Sequence, residues 1–135
     1  MRDPPTRQSS VEAWVLMSLI YKDLDDFDYR NALMLAERLY AIDDNTEDYR
    51  FLYAKCLHLL NDYDGSYAVL KGSQSIVCRH LFARSCLDLG NRQVGSFSDR
   101  QAYWSEGVKA LHGALELYNQ QCSSDHHWSD GNLYT

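Results

Sequence analysis

Three groups of side chains in this sequence could do chemistry. The first is Cys122 with His126 and His127, a sulfur and two imidazoles within six positions. Zinc takes four such ligands in a structural site and three plus water in a catalytic one, and its ligands come in paired spacings. No second CxxC or HxxxH pair accompanies these three residues, so no metal is expected. The second group is the acidic run Asp23, Asp25, Asp26 and Asp28. A calcium loop starting at Asp23 places Asp28 at the position that needs glycine and Met34 where the bidentate glutamate belongs. One starting at Asp62 places Tyr67 at the glycine position and ends on Ser73, so both are rejected. The third group is Cys56, Cys78 and Cys86. Each lies inside an apolar helical pattern, where a thiol serves as a small hydrophobe. No glycine-rich phosphate loop, HExxH or GxSxG occurs. The reading is a chain without catalytic residues, metal or cofactor.

Composition agrees with a binding or structural role. The 135 residues carry a net charge of −6 with no cluster of Lys or Arg, which argues against nucleic acid as a partner. No apolar run reaches membrane-spanning length and no signal peptide is visible, so an intracellular, reducing compartment is expected. Both prolines, Pro4 and Pro5, stand at the N-terminus, which leaves the rest free to form uninterrupted helices.

The elements follow from the apolar period. Tyr29–Ala41 is the stretch around which the others are arranged. At helical spacing Tyr29, Ala32, Leu35, Ala36 and Leu39 share one face, widened by Leu33, Tyr40 and Ile42, whereas Arg30, Asn31, Met34, Glu37 and Arg38 fill the opposite arc. That apolar arc is wider than the stripe of a helix touching one neighbour, and Ala32 and Ala36 at its centre admit close approach. Upstream, Ser9-Ser10-Val11-Glu12 has capping-box spacing and predicts a helix from about Ser10, with Leu16, Leu19, Ile20, Leu24 and Phe27 at helical intervals. Downstream, Asp44 with Glu47 caps a helix that ends at Asn61-Asp62. A short helix over Asp64–Lys71 stops at Gly72. Another starts at Ser73 or Ser75 and closes at Gly90. Asn91–Arg100 reads as a surface loop, and Gln101–Tyr118 is the last helix.

The expected organisation is therefore all-α, about six helices in a tetratricopeptide-like array of helical hairpins. Residues 1–9 form an arm, 10–118 the helical domain with hairpins over about 10–42, 46–72 and 75–118, and 119–135 a loose tail. An internal repeat supports it. Leu52-Tyr53-Ala54-Lys55 matches Leu81-Phe82-Ala83-Arg84, and the small residues Ala32 and Ser66 stand 34 residues apart, the tetratricopeptide period. Ala32, Ala54, Ser66 and Ala83 are the residues expected where paired helices cross.

The runs ALMLAERLYA (32–41), FLYAKC (51–56), SYAVLKG (66–72) and CRHLFARSCLDL (78–89), in that order, resemble the N-terminal region of anaphase-promoting complex subunit 3. Related subunits six and eight share the architecture. The resemblance implies a non-catalytic scaffold of a cell-cycle ubiquitin ligase, nuclear or both nuclear and cytoplasmic, whose partners are the other subunits and a second copy of itself. The homodimer it implies is placed on the first helix, where Leu16, Leu19, Ile20 and Tyr21 belong to more apolar surface than one neighbouring helix covers. The alternative is a generic tetratricopeptide adapter that binds a peptide or a partner helix. A co-chaperone type of groove is disfavoured, because the positions that would grip a carboxylate hold Met17, Tyr21, Leu52, Val77 and Leu81.

Overall fold

In a computed structural model, which describes residues 7–92 and 96–124, six helices follow one another with no strand among the described residues. They are α1 (Arg7–Asp25), α2 (Tyr29–Ile42), α3 (Glu47–Leu59), α4 (Tyr63–Leu70), α5 (Ile76–Arg92) and α6 (Phe97–Ser124). Each packs on the helix before it and the helix after it, and α3 also reaches α5. This is the connectivity of a helical-hairpin array, in which contacts stay local along the chain.

The turns inside the first two hairpins are built alike, one 34-residue period apart. α1 ends with Phe27 in the left-handed region at φ 60°. The Asp28 N–H donates to the Asp23 carbonyl (2.8 Å) and the Phe27 N–H to that of Leu24 (3.1 Å), a Schellman cap. α3 ends with Asn61 at φ 66°, and the Asp62 and Asn61 N–H groups donate to the Leu57 and His58 carbonyls (both 2.9 Å). The aspartate that closes each cap then starts the next helix. Asp28 accepts from the Asn31 N–H and Asp62 from the Gly65 N–H. Between α4 and α5, Gly72 at φ 84° permits the reversal that returns the Ser73 N–H to the Leu70 carbonyl (2.9 Å).

Ala13, Leu16 and Ile20 of α1, Ala32, Ala36 and Leu39 of α2, and Leu52 and Cys56 of α3 form one core, and Ala54, Leu70 and Cys78 a second. The α2 face read from the sequence is the one that is buried, with Met34 outside.

Several boundaries differ from expectation. α1 begins at Arg7 rather than near Ser10, since Arg7 and Gln8 are good helix formers and extend the helix upstream of the serines. The part of the expected arm over 1–6 lies outside the described residues. Thr46, not Asp44, stands at the N-cap of α3, and the Glu47 carboxylate instead accepts from the Gln74 N–H across to the α4–α5 turn. Ser75 rather than Ser73 caps α5, through the Cys78 N–H. Gly90 does not end α5; it lies against the Trp104 indole, and the helix runs on to Arg92. The expected loop over 91–100 is mostly helical, with Ser96 capping α6 through the Asp99 N–H and residues 93–95 outside the description. α6 continues through Ser124 because Leu117, Gln120 and Gln121 favour helix. The rest of the expected tail, 125–135, lies outside the described residues.

Candidate functional site

The residues read as helix crossings are all fully buried: Ala32, Ala54, Ser66 and Ala83. Ser66 does more than stay small. Its Oγ lies 2.8 Å from that of Ser85, which also donates to the Leu81 carbonyl, so the α4–α5 contact carries a buried, satisfied polar pair. Helical spacing places Ser85 on the same apolar arc as Cys78 and Leu89, but its pairing with Ser66 is not legible from that spacing. Gly107 completes the series in the third hairpin. A Cβ there would stand 3.1 Å from the Cys86 Cβ and 3.2 Å from the Ala83 carbonyl.

Burial pushes the thiols of Cys56 and Cys78 up to about 11 and that of Cys86 to about 12, so all three are protonated at neutral pH. Burial, followed by the hydrogen bonds to Glu106, also raises Tyr67, whose hydroxyl reaches both carboxylate oxygens at 2.9 and 2.8 Å. His58 meets Asp88 at 2.8 Å and ties α3 to α5. Among the described residues no group of three His, Cys, Asp or Glu could hold a metal, and Cys122 is exposed; His126 and His127 lie outside them.

What the array offers instead is surface. On α1 the four residues read as an interface divide into two sets. Leu16 and Ile20 are 4% and 0% exposed and pack into the core beside Ala13, so their side chains serve the first hairpin. Leu19 and Tyr21 are 44% and 51% exposed and stand with Val11, Trp14 and Val15 on the outer arc. The reason is that α1 is apolar on both arcs, and α2 covers only one of them. Of the groove positions considered for carboxylate binding, Leu52 is buried in the core, whereas Val77 is exposed.

A second apolar surface went unread. α6 presents Val108, Leu111, Leu115 and Tyr118, all exposed, because α5 packs on the adjoining arc and Tyr67 of α4 meets α6 at Tyr103 and Glu106 instead. Beside this stripe runs a groove of about 410 Å³ whose opposite wall is Phe51, Ile76, Val77 and His80. Its signal was available as the 3-4-3 spacing of those α6 residues. A more polar hollow of about 400 Å³ opens near the α4–α5 turn. Its arginine is engaged, since Arg79 donates to the Gly113, Ser73 and Gln74 oxygens.

Helical hairpins with fully buried small residues and caps that repeat at a 34-residue period define the class: a tetratricopeptide-like helical array. Residues 25–97 match the family model described as anaphase-promoting complex, cyclosome, subunit 3, and the chain belongs to that family. It is 31% identical to the human "Cell division cycle protein 27 homolog" over 112 residues, 82% of this chain and 12% of that protein. It is 31% identical to "Protein bimA" of Emericella nidulans over 118 residues, 84% of this chain and 13% of the relative. To "Anaphase-promoting complex subunit 3" of Schizosaccharomyces pombe it is 39% identical over 82 residues, 59% of this chain and 12% of the relative. The chain thus spans about one eighth of the length of these relatives.

Proposed function

We propose that this chain is a non-catalytic scaffold segment of the anaphase-promoting complex, working in the nucleus or in both nucleus and cytoplasm. The observation that carries this reading is the family match over 25–97, the part of the chain that holds α2–α5 and both repeated caps. The buried, protonated thiols and the engaged Arg79 fit a structural interior. The partners are the other subunits of the ubiquitin ligase. The chain expressed with an affinity handle in dividing cells recovers those subunits together; their absence from the recovered material, with the chain folded, overturns the assignment.

The same reading includes self-association through the first helix. What supports it is the outer arc of α1, where Trp14 is 71% exposed and Val11, Val15, Leu19 and Tyr21 surround it. Apolar side chains gain about 1.5–3 kcal/mol each on full burial, so a contiguous set on one helix favours a covered state. A two-fold contact would use this patch on both chains. Leu19→Glu with Tyr21→Glu tests it, because both side chains point outward and the core residues Leu16 and Ile20 are untouched. Light scattering after size exclusion should show a lower mass for the variant than for the parent chain. Equal masses refute the α1 contact.

A further inference from the structure

We propose that the polar hollow beside the α4–α5 turn docks an acidic side chain, a Glu or Asp presented by a short segment of a partner protein. The observation is an arginine whose hydrogen bonds are met but whose charge is not. Arg79 lines the hollow and is held by three oxygens. Its Nε donates to the Ser73 carbonyl (3.3 Å), Nη1 to the Gly113 carbonyl (3.3 Å) and Nη2 to the Gln74 side-chain oxygen (3.1 Å). All three acceptors are neutral. Among the described residues the ion pairs join Arg38 to Glu12 and Asp88 to His58 and Arg84, and none includes Arg79 or Lys109. A part-buried cation with neutral partners alone still lacks a counter-charge.

The fold fixes this guanidinium in place. Gly113 stands inside α6, where glycine weakens a helix, and a Cβ there would meet the Arg79 Nη1 at 3.2 Å. Glycine thus clears the approach to its own carbonyl. A guanidinium carries five N–H groups, so the three bonds leave one N–H on each terminal nitrogen. Two parallel N–H groups are what a carboxylate accepts from arginine. Lys109 adds a second positive charge to the lining, one helical turn before Gly113. The carboxylate among the described lining residues, Glu106, turns both oxygens to the Tyr67 hydroxyl. The hollow is therefore a locally cationic place on a chain of net charge −6.

Two features select a protein segment as the source of the acid. Leu70, Phe82 and Ala110 give the hollow an apolar wall beside its cations, which suits an apolar residue next to the acidic one. The volume of about 400 Å³ also holds more than a carboxylate group alone. Two cations without a wider basic surface are too few for a nucleic-acid backbone. The inference names a chemistry and does not depend on which assembly the chain joins.

The probes are acetyl-Ala-Leu-Glu-Phe-Ala-amide and the same peptide with Gln in place of Glu. Each is titrated to millimolar concentration into the isotope-labelled chain and followed by amide NMR. The Glu peptide should shift the amides of Gly72, Ser73, Gln74 and Gly113 and the Arg79 Nε–H. It should bind about tenfold more tightly than the Gln peptide, because a charge-assisted bond replaces a neutral one. Added salt should weaken it. The Lys109 side chain is exposed, so Lys109→Gln and Lys109→Glu should leave the spectrum dispersed while weakening the Glu peptide, the second more than the first. If Arg79 only latches the turn to α6, the two peptides behave alike, and that result overturns the proposal. So do shifts confined to the groove of Val77 and Leu115, an absence of shifts in a folded chain, or Lys109→Glu binding the Glu peptide as the parent does.

Discussion

Replacing Gly90 with alanine tests the third hairpin where the Trp104 indole of α6 lies against α5. Gly90 sits inside α5, where alanine would ordinarily stabilise the helix by about 1 kcal/mol. Here a Cβ would stand 2.4 Å from the Trp104 Nε1 and 2.5 Å from its Cδ1. That indole cannot simply yield, because its N–H donates to the Asn91 side-chain oxygen at 3.2 Å. Displacing the ring gives up a hydrogen bond with a net worth of about 0.5–1.5 kcal/mol. Overpacking a contact of this kind costs about 1–3 kcal/mol. The two losses outweigh the helix gain, so Gly90→Ala is expected to destabilise the chain by about 1–3 kcal/mol. Trp104→Ala removes the obstacle. In that background the same Gly90→Ala change should stabilise by up to about 1 kcal/mol, a reversal of sign. Urea denaturation followed by circular dichroism reads all four corners of the cycle. A Gly90→Ala midpoint at or above that of the parent chain refutes the reasoning, and so does an unchanged sign without the indole.

Ala54→Leu and Ala83→Leu should each cost about 1–3 kcal/mol, because both side chains are fully buried; unchanged denaturation midpoints would show that the packing there tolerates bulk. Phe27→Gly should raise stability by about 0.5–1 kcal/mol, since Phe27 holds a left-handed conformation while its ring is largely exposed, and thermal unfolding reads the sign. In the native chain only Cys122 should react quickly with a thiol reagent at pH 8, and Cys56, Cys78 and Cys86 only after denaturation; fast modification of all four would contradict the packing. The same three thiols make stability fall in alkali. Their folded pKa values are raised, so the unfolded chain loses protons first, and stability present below about pH 9 declines as pH rises toward 11–12. A denaturation midpoint flat from pH 8 to 11 in the presence of reductant counts against this.

The sequence alone determined the helices and their order. The apolar face of α2, the small residues at 32, 54, 66 and 83 and the 34-residue period are local properties, written in spacing and side-chain size. They determine an all-α hairpin array, whereas the family is implied by the resemblance of the runs over 32–41, 51–56, 66–72 and 78–89. The capping bonds of Asp28 and Asp62 reach only three residues ahead, yet the sequence reads Asp28 as part of an acidic run and Asp62 as a helix end. Tertiary structure decided matters that depend on what lies across a contact. α1 is apolar on both arcs, so its sequence did not reveal that α2 takes Leu16 and Ile20 and leaves Leu19 and Tyr21 outside. Gly90 looked like a helix end because glycine usually is one; the Trp104 indole, fourteen residues on, explains it as a packing site. Glu47 looked like a cap for its own helix, yet its oxygen goes to the Gln74 N–H, 27 residues away. The open stripe of α6 shares this origin. Its spacing is local, but its exposure follows from α5 covering the adjoining arc and no other described helix covering this one.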